Sequence, residues 1–190
     1  MIRRAKKTDA PQVSELLYII LDEMDIPMLK VYDKPKVLEF IGKAFNSEAG
    51  RFSHNNVTVK EMEGRAVGMA VAYHGADAAR LDRELAAIIR DTFSLCEDII
   101  LDKEADEDEF YIDSLCIMPE FRGMGIGTEL LKSLQEEAGG NSFAKLSINV
   151  ELNNTRAQRL YESMGYLTEK EMEIAGHSYF HMIKMLSKSL

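Results

Sequence analysis

The chain has 190 residues, of which 46% are hydrophobic and 29% charged, values typical of a soluble globular protein. Its formal net charge of −9 argues against DNA or RNA as a partner, because phosphate binding needs clustered lysines and arginines. A cationic partner suits this charge better. The length fits one domain that buries roughly 70% of its unfolded surface, so we expect a single domain over residues 1–190.

Cysteine usage and the start of the chain indicate the compartment. Cys96 and Cys116 lie within apolar patterns and form no disulfide framework, so a reducing cytoplasm is expected. The basic start is interrupted by Thr8 and Asp9, and no long apolar run follows. Neither a signal peptide nor a membrane span is therefore expected.

The first part of the chain predicts one short strand and two helices. Residues 2–5 are the strand candidate, and Thr8 or Asp9 can cap a helix that tolerates Pro11 in its first turn. A second helix is predicted over residues 35–45. The core-facing stripe of the first helix consists of Val13, Leu16, Leu17, Ile20, Leu21 and Met24.

The middle of the chain predicts a hairpin, a helix and an acidic stretch. Residues 55–73 alternate apolar and polar side chains about a turn at Glu63-Gly64, which is typical of a hairpin. The period becomes helical over residues 78–96. Residues 97–109 contain eight acidic residues and one lysine, Lys103. Such a run is usually a solvated, partly mobile loop, and the alternative is an electrostatic funnel that concentrates a cationic ligand.

A glycine-rich turn follows the strand predicted over residues 110–118. Gly123, Gly125 and Gly127 alternate along this turn, and a helical apolar pattern then runs to Gly139-Gly140. Glycines between a strand and a helix leave backbone N–H groups free at a helix N-terminus, where phosphate oxygens bind. The alternative is a loop that merely packs closely against a neighbouring strand.

Three phosphate-binding patterns compete for this turn. A P-loop would need a lysine after the last glycine, but Thr128 and Glu129 follow it. A dinucleotide-binding turn would place its third glycine one residue later. Arg122, Gly125 and Gly127 match Arg/Gln-x-x-Gly-x-Gly/Ala, which resembles the coenzyme A pyrophosphate loop of the GNAT N-acetyltransferase superfamily.

A second motif supports this resemblance independently. Residues 149–166 are similar to the second acetyl-CoA motif of that superfamily, Asn-x-x-Ala-x-x-Leu-Tyr followed by Gly-Tyr/Phe. The motif lies beyond one helix and one strand, predicted over residues 145–150, and itself predicts a helix over residues 155–164. A closing hairpin is expected over residues 167–175 and 178–186.

The resemblance implies an α/β (α+β) fold with a mixed, mostly antiparallel central sheet flanked by helices on both faces. It implies one acetyltransferase domain over residues 1–190, in which residues at about 77–109 form a helical and acidic insertion. It also implies acetyl-CoA as the acyl donor and no metal.

The site residues are carried over by matching motif positions. Tyr161 would be the general acid for the coenzyme A sulfur, and Asn154 would bond to the pantetheine arm. Main-chain groups of the strand before the turn would pair with the same arm, and those around Ile117 would polarise the thioester carbonyl. The coenzyme-binding positions are Leu115, Cys116, Ile117, Arg122, Gly123, Met124, Gly125, Ile126, Gly127, Thr128 and Asn154.

The sequence does not identify a single general base. Some relatives carry a glutamate where this chain has Asn149, which accepts no proton at neutral pH. The candidates are Asp113, Glu151, His181 or a chain of water molecules. Cys116 is not expected to form an acyl-enzyme, because nothing marks it as activated. Possible substrate contacts near the first two helices are Asp22, Asp25 and Tyr32.

The sequence therefore predicts an N-acetyltransferase that moves the acetyl group of acetyl-CoA to a primary amine of a small molecule or a protein, by direct transfer in a ternary complex. The alternative is a non-catalytic acyl-CoA-binding or sensing module. The expected partner is an amine-bearing acceptor, with a cationic one favoured by the charge. A homodimer is possible, and neither nucleic acid nor membrane is expected as a partner.

Overall fold

The computed structural model describes residues 1–26 and 28–186. The strands in these residues are β1 Ile2–Arg4, β2 Val57–Met62, β3 Arg65–His74, β4 Phe110–Ile117, β5 Lys145–Glu151, β6 Leu167–Ile174 and β7 His177–Met185. The α-helices are α1 Ala10–Glu23, α2 Met28–Val31, α3 Lys34–Asn46, α4 Ala78–Phe93, α5 Ile126–Gly140 and α6 Thr155–Ser163.

The strands form a seven-stranded sheet in the order β1-β2-β3-β4-β5-β7-β6. β4 and β5 run parallel, whereas the other neighbouring strands are antiparallel. Helices cover both faces, which confirms the predicted mixed, mostly antiparallel architecture. None of the helices in the described ranges combines the length and the apolar composition needed to cross a bilayer.

The two faces of the sheet carry separate apolar clusters. On one, called the α1 face, the apolar stripes of α1, α3 and α4 bury side chains such as Leu16 and Phe40. On the other, called the α5 face, α5 and α6 bury Leu131 and Tyr161 against β5. Full burial of one such apolar side chain contributes about 1.5–3 kcal/mol, so these stripes hold the helices to the sheet.

Three local predictions were wrong. Asp9 does not cap α1 with its side chain, because its carboxylate forms an ion pair with Arg3 at 2.7 Å and accepts the Lys6 N–H. The helix predicted to reach residue 96 ends at Phe93, where Ser94 takes a left-handed conformation with a φ of 53°. Cys96, expected in an apolar setting, is exposed, whereas Cys116 is buried.

β4 separates from β5 halfway along its length. The two strands pair only from Phe110 opposite Leu146 to Ile112 opposite Ile148. On the other side of β4, the register with β3 shifts at Asp113, which is the extra residue of a β-bulge. Beyond the bulge β4 pairs with no described strand on its β5 side, and we call this opening the β4–β5 gap.

The acidic stretch, residues 97–109, is bonded to the rest of the protein along its length. Gly75 donates its N–H to the Glu109 carbonyl at 2.8 Å, and a Cβ on Gly75 would lie 1.9 Å from the Asp106 carbonyl oxygen. Six of its carboxylates have partners: Asp98 (Arg90), Asp102 (Ala175 N–H), Glu104 (Arg51), Asp106 (Lys170), Asp108 (Lys145) and Glu109 (His181).

These contacts make the expectation of a solvated loop wrong for Glu104 and Glu109, whose side chains are 15% and 0% exposed. They also weaken the funnel alternative. A carboxylate that already has a cation or an N–H donor within hydrogen-bond distance contributes little long-range field. That residues 77–109 are an insertion stays a prediction.

Glu109 is the most deeply buried carboxylate of the stretch. Its oxygens accept the Ser147 hydroxyl at 2.7 Å and the Asp106 N–H at 3.1 Å, and one lies 3.1 Å from Nε2 of His181. Burial raises the pKa of Glu109, but these hydrogen bonds outweigh burial and lower it to about 2. The carboxylate therefore stabilises the fold at neutral pH.

We expect this stabilisation to be lost as the pH falls from the ordinary glutamate pKa of about 4.3 towards the folded value of about 2. Glu109→Gln should cost about 3 kcal/mol of unfolding free energy at pH 7, and the difference from wild type should shrink at lower pH. Urea unfolding at several pH values measures this. Glu107→Gln, at an exposed neighbouring position, is the control. A difference in unfolding free energy between wild type and Glu109→Gln that is the same at pH 5 and pH 3 would contradict the stabilising role of the Glu109 carboxylate.

Candidate active site

The glycine-rich turn connects β4 to α5 in a conformation that needs glycine. Gly123 and Gly125 have φ angles of 83° and 80°, in the left-handed region that other residues avoid. A Cβ built on either glycine would meet no atom within 4 Å, so the turn borders open space. α5 begins at the next residue, Ile126.

This turn presents a row of free backbone donors. The N–H groups of residues 123–128 have no hydrogen-bond acceptor among the described residues, whereas Glu129 already donates to the Gly125 carbonyl. They lie at the positive end of the α5 dipole, which favours an anion. The turn therefore fits a pyrophosphate group.

Arg122 stands at the edge of the turn. Its Nε donates to the Ile117 carbonyl at 3.1 Å, and an Nη atom lies 3.4 Å from the Glu23 carboxylate. The guanidinium is half-exposed, so it keeps donors free for an oxygen ligand while these contacts hold it in place. The carbonyl of Ile117, however, is already bonded.

A cavity of about 540 Å³ joins the turn to the β4–β5 gap and to α6. It brings together the predicted site residues of both motifs except Met124, which is 57% exposed and points elsewhere. The predicted residues that line it are Leu115, Cys116, Ile117, Arg122, Gly123, Gly125, Ile126, Gly127, Thr128, Asn154 and Tyr161.

Tyr161 reaches this cavity from α6. Its ring is buried beside Tyr166, with ring centroids 6.0 Å apart. Its hydroxyl has no hydrogen-bond partner among the described residues. The hydroxyl oxygen is also not fully buried, so it faces the cavity that Tyr161 lines. Burial raises the pKa of Tyr161 above its ordinary value, so the hydroxyl carries its proton at neutral pH.

Two predicted residues have additional contacts that limit their roles. Asn154 is the N-cap of α6, where its side-chain oxygen accepts the Ala157 N–H at 3.1 Å, so only its amide NH₂ is free. Burial raises the pKa of the Cys116 thiol to about 11. This cysteine is therefore a thiol at neutral pH, a poor nucleophile.

Sequence reasoning missed several lining residues. Three of them, Arg156, Ala157 and Leu160, share one face of α6 with Asn154 and Tyr161, so helical periodicity could have found them. Phe121 adjoins the turn and could have been found by its position. Glu23 comes from the end of α1, and no pattern in the sequence links it to the turn.

The candidates for the general base lie outside this cavity. Asp113 accepts the Tyr73 hydroxyl at 2.8 Å and has a side chain 5% exposed. His181 is fully buried between Asn149 and Glu109. Glu151 bonds to His177 at the end of β5.

The expected substrate contacts are also outside the cavity. Asp25 forms an ion pair with Lys30 at 2.8 Å, and the Tyr32 ring packs on Phe93 at 4.4 Å. Asp22 is exposed on α1.

One cluster in the described part of the chain has metal-ligating groups within 4.8 Å of one another: Asp106, Glu109, Glu169 and His181. Lys170 bonds to Asp106 at 2.7 Å, and Lys145 lies 3.6 Å from Glu109. These two ammonium groups pair with two of the three carboxylates, and the third, that of Glu169, lies 3.9 Å from Nε2 of His181, so neighbouring side chains account for the cluster. The absence of a metal stays a prediction.

The β4–β5 gap, the turn with its free N–H groups and the buried tyrosine border one cavity, which fits an acyl group carried on a phosphorylated coenzyme. A family model described as the Acetyltransferase (GNAT) family matches residues 18–166. The chain therefore belongs to the GNAT family and is an acetyltransferase. Acetyl-CoA is the acyl donor of this family.

Similar proteins agree with this membership. A solved N-acetyltransferase from Staphylococcus aureus Mu50 is 29% identical, with a TM-score of 0.86 over 97% of this chain and 100% of that one. A second solved acetyltransferase is 30% identical, with a TM-score of 0.84 over 98% of this chain and 100% of that one.

The curated relatives match over shorter stretches. Thialysine N-epsilon-acetyltransferase of Bos taurus is 36% identical over 63 residues, 32% of this chain and 37% of that protein. Spore coat polysaccharide biosynthesis protein SpsD of Bacillus subtilis (strain 168) is 32% identical over 76 residues, 40% of this chain and 25% of that protein. The chain thus matches well under half the length of either.

Gly125→Leu should abolish coenzyme A binding in a protein that still folds, because the side chain would fill the space in front of the free N–H groups. The left-handed φ adds strain of about 1–2 kcal/mol. Gly176→Leu is the matched control, since Gly176 has the same φ of 80° in the β6–β7 turn and does not line the cavity. Calorimetric titration with coenzyme A measures both variants. Wild-type affinity in folded Gly125→Leu would refute the binding site.

Proposed function

We propose that the protein is an N-acetyltransferase that transfers the acetyl group of acetyl-CoA directly to a primary amine within a ternary complex. The observation that carries this proposal is the shared cavity of about 540 Å³, where both motifs meet beside the β4–β5 gap. Family membership supports acetyl transfer, and the cavity supports the donor's place in it.

Different residues of the cavity would bind different parts of acetyl-CoA. Free N–H groups of residues 123–128 would bind the pyrophosphate, and unpaired main-chain groups of β4 beyond the bulge would bind the pantetheine arm. The amide NH₂ of Asn154 adds a further donor. Bound there, acetyl-CoA supplies an activated acetyl group next to Tyr161, whose hydroxyl would protonate the departing sulfur.

Direct transfer is favoured over an acyl-enzyme because the cysteine that lines the cavity is not activated. Burial raises the pKa of Cys116 to about 11, and no histidine bonds to it within the described ranges. A sensing module would retain the turn but would not need a proton donor. The Tyr161 hydroxyl at the cavity therefore favours an enzyme.

The proposed acceptor is a class of molecule, an amine, inferred from the charge of the chain and from one relative. A net charge of −9 favours a cationic amine, and the thialysine N-epsilon-acetyltransferase relative is named for an amine on a flexible side chain. A small molecule or a protein with such an amine suits both observations. We also propose a cytoplasmic location, with neither nucleic acid nor membrane as partner.

Tyr161→Phe should lower kcat by roughly 10²–10⁴-fold, because it removes the proton donor and keeps the ring packed. The affinity for acetyl-CoA should barely change, since the turn is untouched. Free-thiol release with a primary amine, calorimetry and thermal melting separate these effects. Tyr166→Phe, at the ring beside Tyr161, is the control and should keep its kcat. A fully active Tyr161→Phe variant would end the general-acid assignment.

A further inference from the structure

Arg51 forms the centre of a buried charged cluster on the α1 face, beside the β4–β5 gap. Its guanidinium, in a side chain only 8% exposed, lies 2.8 Å from the Asp82 carboxylate and 3.3 Å from that of Asp113, and it also bonds to Glu104. Three carboxylates therefore share one buried cation. Arg51 thereby holds carboxylates from α4, the acidic stretch and β4 together beside the gap.

Glu104 connects this cluster to both strands where they separate. Its Oε2 accepts the Tyr111 hydroxyl of β4 at 2.8 Å, and its main-chain carbonyl accepts the Asn149 side chain of β5 at 3.0 Å. Asn149 also donates to the Tyr111 hydroxyl at 3.0 Å. Because Ile148 and Val150 pack on the α5 face, Asn149 between them points to the α1 face. Glu104 thus lies across the gap from the coenzyme cavity.

The other carboxylates and the histidine near the gap are less available. Both oxygens of Asp113 are occupied, by the Ser114 hydroxyl at 2.7 Å and the Tyr73 hydroxyl at 2.8 Å, and its side chain is 5% exposed. His181 is sealed at 0% exposure. Each oxygen of Glu104 also accepts one side-chain donor, but its side chain is 15% exposed, more than that of Asp113 or His181, so Glu104 is the most accessible of the three.

We propose that Glu104 is the base that takes a proton from the acceptor ammonium on the α1 face of the gap. The assignment rests on the proposed function, since direct transfer requires the amine to enter opposite the donor. The ammonium gives one proton to Glu104, and its nitrogen then bonds to the acetyl carbon as the carbon–sulfur bond breaks. The sulfur takes the Tyr161 proton, the second proton that leaves the nitrogen restores the Tyr161 hydroxyl through water, and Glu104 releases its proton to solvent. Overall, ammonium and thioester become amide, free thiol and one released proton.

The surroundings of Glu104 suit this role. Burial raises its pKa, and the nearby Asp113 carboxylate raises it further, while Arg51 opposes both. The other titratable groups that face the cluster are Asp82 of α4, Tyr73 of β3 and Tyr111 of β4. A carboxylate with a raised pKa is a stronger proton acceptor near neutral pH than an ordinary glutamate.

Glu104→Gln should reduce kcat by at least about 100-fold with a primary amine. It should also remove the acidic limb of the pH profile, so that the loss narrows at high pH, where the amine is already neutral. Asp82→Asn is the matched control, since it too removes one partner of Arg51 but borders a separate cavity of about 580 Å³. It should keep an acidic limb, displaced at most by the changed charge on the cluster, and both variants should keep the acetyl-CoA KM.

The assay uses L-lysine, spermidine and glucosamine as amines, with free thiol as the readout. A wild type inactive on all of them would overturn the proposed function and the base together. An active wild type with an equally active Glu104→Gln variant, or equal losses in Glu104→Gln and Asp82→Asn, would overturn only the base. Carboxyl ¹³C NMR of the wild-type protein is independent of variant folding, and a Glu104 pKa at or below the ordinary value would also overturn it.

Discussion

The separation of β4 from β5 after three paired residues is the constraint on which the rest of the structure depends. A parallel pair needs a crossover helix, and here α5 makes that crossover. Its N-terminus must therefore lie at the carboxyl end of β4, beside the opening. One topological requirement thus places the free N–H groups of the turn next to the unpaired main chain of β4.

An opening in a sheet leaves polar backbone and side chains without ladder partners, and each such buried group must find another partner. The stretch that joins α4 to β4 supplies many of them. It accepts hydrogen bonds from Gly75, Asn149 and Ser147. Tyr111, Asn149 and His181 form a hydrogen-bonded chain, in which Glu104 bonds to Tyr111 at one end and Glu109 to His181 at the other. What reads as a charge run in the sequence is a structural element of the gap.

The sequence predicted the elements well, and all but one of the predicted site residues line one cavity, because both depend on local patterns. Strand alternation, helical stripes and the glycine spacing each lie within a short stretch of the chain. The Arg51 cluster could not be predicted in this way. Its members, Asp82, Glu104 and Asp113, come from separate elements. The sequence shows each charged residue, but periodicity does not predict which distant residue it will pair with. Glu23 illustrates the same limit, since it meets Arg122 from 99 residues away.

The three residue pairs between β4 and β5 are also the only strand pairing, among the described residues, between the two halves of the sheet, and we call this boundary the seam. On either side of it the strands form antiparallel units, β1 to β4 and β5 to β7, each closed by its own hydrogen bonds. A donor that contacts the turn, β4 and α6 at once spans this seam, so its binding free energy holds the two units together. By mass action, a ligand at 100 times its Kd adds about 2.7 kcal/mol to the folded state. If acetyl-CoA binds where we propose, it is a structural cross-link as well as a reactant, and we expect the melting temperature of the protein to rise with the concentration of its acyl donor.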